Sequence, residues 1–168
     1  MKFQEIDHER NSISMTLDKF DRRILVLLQQ DAAIPVAELA EKVGLSASPC
    51  WRRVQKLEAE GYIRGRVALL DARKMNLGVT VFAAIRTNQH SVKWLEAFSK
   101  AVVGIPEIVE VYRMSGQIDY MLRIVVPDIA AYDRVYRRLI AAIEIYDVSS
   151  AFAMEVLKST TVLPVDYA

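Results

Sequence analysis

The chain has 168 residues, 52% of them hydrophobic, and a formal net charge of +1. That length and apolar content suit one or two domains with real cores, and the near-neutral balance excludes a case for nucleic-acid binding from global charge. The single cysteine, Cys50, excludes a disulfide scaffold and fits a reduced, cytoplasmic protein, and no apolar run approaches a membrane span.

The N-terminal stretch 1–16 is polar, lacks a signal peptide's apolar core and is expected to be a loosely attached arm, with Met15 able to act as an alternative start. Asp18 and Asp21 then have the spacing of a capping arrangement. Phe20, Ile24, Leu25, Leu27 and Leu28 make a helical apolar stripe to about Gln30. Residues 31–34 form a short connection. Pro35 to Val43 is expected as a second helix with Leu39, Ala40 and Val43 inward.

Gly44 is placed to end that helix in the left-handed conformation. Ser46 follows as an N-cap whose hydroxyl can accept from the orphan amides, and Pro49 falls in the first turn, where its missing N–H costs nothing. The next helix is expected from about Ala47 to Ala59, stopped by Gly61. At about 100° per residue, Cys50, Val54 and Leu57 share its inward face. Ser48, Arg52, Gln55 and Lys56 project from the other face, with Arg53 on the flank. This is the arrangement of a helix-turn-helix with its recognition helix, and hydroxyl, amide and basic side chains on one face suit phosphates and base edges. An ordinary solvated helix face has the same composition, but the tight turn and the caps favour DNA.

The charge distribution agrees. Residues 17–74 carry eleven Lys/Arg against eight Asp/Glu, residues 75–168 nine against ten, and residues 1–16 two against three. Basicity is thus concentrated around the helix-turn-helix. Tyr62 to Leu70 is rich in β-formers and is expected as a strand or small wing, from which Arg64 and Arg66 can approach phosphates. Residues 71–76 read as a polar linker.

From Leu77 the period changes. Strands are expected at Val79–Arg86, Ile105–Met114, Tyr120–Val126 and Val148–Lys158. Helices are expected from Ser91 to about Val103, and from Ile129, capped by Asp128, to about Ala142. The turn between the second and third strands is SGQID, Ser115 to Asp119. The order β-α-β-β-α-β is the ferredoxin-like split arrangement, so the fold class is α+β: a winged helix-turn-helix over 17–70 and a ferredoxin-like domain over 77–164, with a tail at 165–168. Such a sheet has one face open, and dimerisation is the simplest way to cover it.

The pieces LDKFDRRIL, AELAEKVGLSASPCWRRVQKLEAEGYI, VALLD, IPEIVEVYRMSGQIDYMLRIVVPD and TTVLP stand in one order along Leu17 to Pro164. In that order they resemble the leucine-responsive regulator/AsnC family of transcription factors. The resemblance implies a DNA-binding regulator acting on double-stranded DNA, with a RAM/ACT-like effector domain, and a homodimer that assembles further into tetramers of dimers. It implies no cofactor and no metal, but a small effector, usually an amino acid, bound near the turn of the second and third effector-domain strands. Carried over, that site is Ser115, Gly116, Gln117, Asp119 and Tyr120, with Thr160 and Thr161 from the terminal polar pair. Gly116 lets amides approach a carboxylate and Asp119 can pair with an α-ammonium; a plain hairpin turn with Asp119 on local amides fits the same residues. The sequence departs from many members at Gln117, where an acidic residue or asparagine is common, and at IEIYDV, which replaces a Leu-Pro-Gly turn. Trp51 beside Cys50, with VALLD and SSAFAMEVLKSTT, is most similar to the subgroup that regulates cysteine degradation, which makes L-cysteine the first effector candidate.

On the DNA side, Ser48, Arg52 and Gln55 are candidate base readers, and Ser46, Arg53, Lys56 and Arg64 candidate phosphate contacts. Two other classes compete. A chromatin-like architectural protein would wrap DNA with little sequence preference, against which the near-neutral charge argues. A tetrapyrrole decarboxylase of the same architecture would lean on histidines, and only His8, in the arm, and His90, before a helix cap, are present.

Overall fold

The computed structural model describes residues 16–168. The expected arm at 1–16 and the alternative start at Met15 therefore lie outside the described residues, Thr16 excepted. The described chain divides into two compact units, residues 16–69 with 158–168, and residues 70–157.

The first unit holds three helices, α1 (Lys19–Gln30), α2 (Val36–Val43) and α3 (Ala47–Ala59). Asp18 caps α1. Its Oδ1 accepts from the amides of Phe20 at 2.8 Å and Asp21 at 2.9 Å, while Asp21 Oδ2 accepts from the Asp18 amide at 3.2 Å. Two orphan donors are satisfied reciprocally, as the Asp-x-x-Asp spacing predicts. Gly44 ends α2 with φ 81°, and the amides of Gly44 and Leu45 both reach back to the Ala40 carbonyl at 2.9 Å. This turn throws α3 across α1 and α2. Ile24, Leu39, Cys50, Val54 and Leu57 are buried where the three helices meet, the four aliphatic ones each worth roughly 1.5–3 kcal/mol if fully desolvated.

The C-terminal segment, residues 158–168, packs with this unit. The reason is local. The Leu163 amide donates to Gln29 Oε1 at 2.7 Å, Gln29 Nε2 donates to the Leu163 carbonyl at 3.1 Å, and Val165 packs against the helical core. Arg22 also donates to the Ala168 carbonyl. The expected strand over Tyr62–Leu70 does not form: these residues are bends and irregular chain, and among the described residues no strand pairs with them. Leu69 and Leu70 are each 71% exposed.

The second unit contains β1 (Val79–Arg86), α4 (Val92–Val103), β2 (Ile108–Arg113), β3 (Tyr120–Val126), α5 (Ile129–Ala142) and β4 (Asp147–Phe152). The sheet order is β2-β3-β1-β4 with every pair antiparallel. This is the ferredoxin-like arrangement expected from the element order. Along β3, Tyr120, Leu122, Ile124 and Val126 are buried and alternate with half-buried Met121, Arg123 and Val125. The first set joins one core with Trp94, Phe98 and Val102 of α4 and Val135 and Leu139 of α5. Ser91 Oγ accepts from the Trp94 amide and Asp128 Oδ1 from the Ala131 amide, so both helices start where their caps predict.

Two strands are shorter than expected. The Ile108 amide donates to the Ile105 carbonyl, so Ile105 belongs to a turn and β2 begins at Ile108. In β4, Phe152 stands opposite Val81 and the Ala153 amide donates to the Thr80 carbonyl; β1 starts at Val79, so the ladder runs out there.

Candidate nucleic-acid interface and effector turn

Helix α3 presents two faces. Cys50, Val54 and Leu57 are buried, while Ser48, Trp51, Arg52, Gln55 and Lys56 are exposed. Among the described residues, no ion pair or hydrogen bond holds the side chains of Arg52, Gln55 or Lys56, or that of Arg64 beyond the helix. Ser46 is the N-cap by backbone geometry, and the Cys50 amide donates to its carbonyl, but its hydroxyl makes no capping hydrogen bond. The expected cap bond is therefore absent, and the hydroxyl stays available beside the positive end of the helix dipole, where anions are stabilised. Burial raises the Cys50 thiol above its ordinary pKa, with the nearby Arg53 charge acting weakly the other way. A buried, neutral thiol is a packing residue.

The other arginines near α3 are already engaged. Arg53 Nη1 lies 2.7 Å from Asp21 Oδ1 and 2.8 Å from Asp18 Oδ2, and its guanidinium sits over the Phe20 ring at 5.4 Å. Arg66 Nη2 pairs with Glu58 Oε1 at 2.9 Å. Sequence reading missed the Arg53 contacts because its partners lie more than thirty residues away.

In the second unit, the turn between β2 and β3 is closed by the Met114 amide donating to the Asp119 carbonyl and the Asp119 amide donating to the Ile85 carbonyl. Asp119 Oδ2 accepts from the Thr87 amide at 2.8 Å, so this carboxylate ties the turn to the end of β1. Gly116 has φ 113°, which L side chains rarely adopt, and a Cβ there would meet open space. The turn thus requires Gly116 for conformation, and the residue is exposed. Ser115, Gly116 and Gln117 are exposed and Asp119 is half-buried. Tyr120 is 9% exposed, its ring 4.5 Å from Phe98 and 5.9 Å from Trp94. It supports the turn from the core. Thr160 and Thr161 belong to the segment that packs with the helical unit, where Thr160 Oγ1 accepts from the Val162 amide. The four turn residues are brought together, and these two threonines belong to the other unit.

On the face of the sheet away from α4 and α5, Arg123 pairs with Glu110, and the Tyr112 hydroxyl donates to Glu110 Oε2 at 2.8 Å. The Arg123 guanidinium holds the Glu110 carboxyl below its ordinary range despite burial, helped by Tyr112. Among the described residues no group of side chains could hold a metal ion, and no helix is long and apolar enough to cross a membrane.

A helix-turn-helix with an exposed polar and basic recognition face, in one chain with a ferredoxin-like unit, defines a DNA-binding transcriptional regulator with a ligand-binding domain. Residues 17–64 match the winged helix-turn-helix DNA-binding family and residues 80–163 the Lrp/AsnC ligand binding domain. The chain belongs to the Lrp/AsnC family of transcriptional regulators. It is 51% identical over 148 residues to the glutamate uptake regulatory protein of Zymomonas mobilis, covering 88% of this chain and 90% of that one. It is 45% identical over 151 residues to the DNA-binding transcriptional activator DecR of Escherichia coli, covering 89% and 99%. Among solved structures, an AsnC family transcriptional regulator from Agrobacterium tumefaciens superposes with a TM-score of 0.87 at 63% identity, over 90% of this chain and 99% of that one. A transcriptional regulator from Neisseria meningitidis, solved in complex with L-Met, superposes with a TM-score of 0.85 at 34% identity over the same shares. These relatives are regulators, so neither the decarboxylase reading nor the purely architectural one is favoured.

Proposed function

We propose that this regulator binds operator DNA as a homodimer in the cytoplasm and answers to an α-amino acid held at the β2–β3 turn. The observation that carries the DNA reading is the exposed row Ser48, Arg52 and Gln55 on α3, unpaired among the described residues and mounted on a buried apolar face. Two such helices in a dimer would enter successive major grooves about 34–36 Å apart. Arg52, Gln55 and Ser48 read base edges, while Ser46, Lys56 and Arg64 contact phosphates, which position without specifying. Arg53, expected among the phosphate contacts, serves first to hold α3 on α1.

The dimer covers the open sheet face. Support comes from Phe82, 39% exposed on β1, and from Met121 and Val125 on the same face. Further assembly into a tetramer of dimers follows the family resemblance. For the effector, the open backbone at Gly116 suits a carboxylate. The free edge of Asp119 suits an ammonium, and Ser115 and Gln117 offer the remaining polar contacts. Thr160 and Thr161 would complete the site from another subunit. The L-Met complex of the Neisseria meningitidis regulator supports an amino acid as the ligand class. L-cysteine remains the first candidate from the sequence resemblance.

The experiment is a thermal-shift screen of the full chain against the twenty amino acids, with sizing of any hit. A ligand at 100 times its dissociation constant adds about 2.7 kcal/mol. Asp119→Asn keeps an acceptor for the Thr87 amide and removes the charge, so it should fold normally and lose the response. A normal response in that variant would remove Asp119 from the site, and no response to any amino acid in the parent chain would discard the ligand class.

A further inference from the structure

We infer that Trp51 is a specificity-determining residue that reads a thymine through its apolar ring, an inference resting on α3 being the recognition helix. Positions 48, 51, 52 and 55 follow the i, i+3, i+4, i+7 spacing of one helix face, and all four are exposed. Trp51 is 42% exposed. Among the described residues its ring has no aromatic or cationic neighbour and its indole N–H no acceptor. The chain's other tryptophan is placed quite differently. Trp94 Nε1 donates to the Glu144 carbonyl at 2.9 Å and its ring stacks on Phe98 at 5.1 Å. One tryptophan is therefore a core residue, and the other stands on the polar face offered to DNA.

The chemistry of the groove selects its partner. Ser48, Arg52 and Gln55 match the donors and acceptors that base edges display, and the one apolar group displayed there is the thymine C5 methyl. An indole N–H already solvated by water gains little by exchanging it for another acceptor. The exposed ring gains by leaving water, and a methyl is the surface in the groove that takes it.

The test uses the full chain and a duplex obtained by selection from a random pool. Each thymine of a half-site is replaced in turn by deoxyuridine, which removes only the methyl. Burial of one methyl is worth about a fourfold change in affinity. The parent chain should lose about that factor at one thymine per half-site, and Trp51→Ala should be indifferent there. If no thymine shows the loss, or if the variant shows it equally, the assignment is overturned. Should Trp51→Ala not fold, Trp51→Gln replaces it; a Gln variant that also fails to fold would mark the ring as structural and overturn the assignment. A parent chain with no preference for the selected duplex over a scrambled one would instead overturn the recognition-helix reading beneath it.

Discussion

Arg53 of the recognition helix and Asp21 of α1 meet at 2.7 Å, Nη1 to Oδ1, with Asp21 only 7% exposed. The contact joins a residue expected to face DNA to the capping box of another helix. A carboxylate this buried needs its cation, because removing one partner leaves an uncompensated charge. Arg53→Ala should therefore lower the stability of the DNA-binding unit by about 1–3 kcal/mol while leaving the salt dependence of DNA binding nearly unchanged. Lys56→Ala should do the reverse, reducing the salt slope by about 0.9 for each subunit bound. Thermal melts and binding isotherms at several salt concentrations read both effects. A slope change of that size in Arg53→Ala would return Arg53 to the phosphate contacts.

Asp18 gives the same cluster a pH dependence. Burial alone would raise its carboxyl, but the Asp21 amide, the Arg53 guanidinium and the Phe20 amide outweigh it and hold it below the ordinary 3.8. A depressed folded-state pKa contributes stability that is complete above the unfolded value and is lost as pH falls through the folded one. Asp18→Asn keeps a capping oxygen and loses the charge. Its stability deficit should be present at neutral pH and close as pH drops below 3.8. Denaturant titrations across that range measure the gap, and a gap independent of pH would separate the cap from the charge.

The open face of the sheet provides a third test. Phe82 lies between Arg123 and Ala151 in the strand register and is 39% exposed. Phe82→Glu places a charge there without touching the core beneath. Light scattering should show the parent chain at the size of a dimer or of an assembly of dimers and the variant as a monomer, each with an intact circular dichroism spectrum. A variant of unchanged size would move the interface elsewhere.

The C-terminal segment makes a fourth. Truncation ahead of Leu163 removes two hydrogen bonds to Gln29 and the packing of Val165. The hydrogen bonds are exposed, so the loss should be about 1–2 kcal/mol. It should appear in hydrogen exchange of α1 rather than of β1. Protection lost from β1 instead would place the segment with the sheet.

Much of this was legible in the sequence because local signals are strong where caps and periods agree. Helix α3 has the bounds that Gly44, Ser46, Pro49 and Gly61 mark out, and β1, β3 and α5 fall where apolar runs of strand length and the Asp128 cap place them. Errors arose where an element's fate depends on a distant partner. Tyr62–Leu70 has strand composition but, among the described residues, no neighbouring strand, and β4 stops because β1 does. The site was legible to the same degree. The polar row on α3 follows from helical spacing, and so does the exposure of Trp51, which could have been read from its position three residues after Ser48. The engagement of Arg53 by α1 and of Asp119 by the Thr87 amide depends on tertiary contacts that spacing does not encode.

The central claim is that α3 reads sequence, and the measurement is the affinity of the full chain for a selected duplex against a scrambled one, repeated with Arg52→Ala. The account predicts a preference of at least about a thousandfold for the selected duplex, and a loss of about 1–3 kcal/mol confined to one base pair of each half-site when Arg52 is removed. Equal affinity for both duplexes, or an unchanged preference in Arg52→Ala, would contradict it.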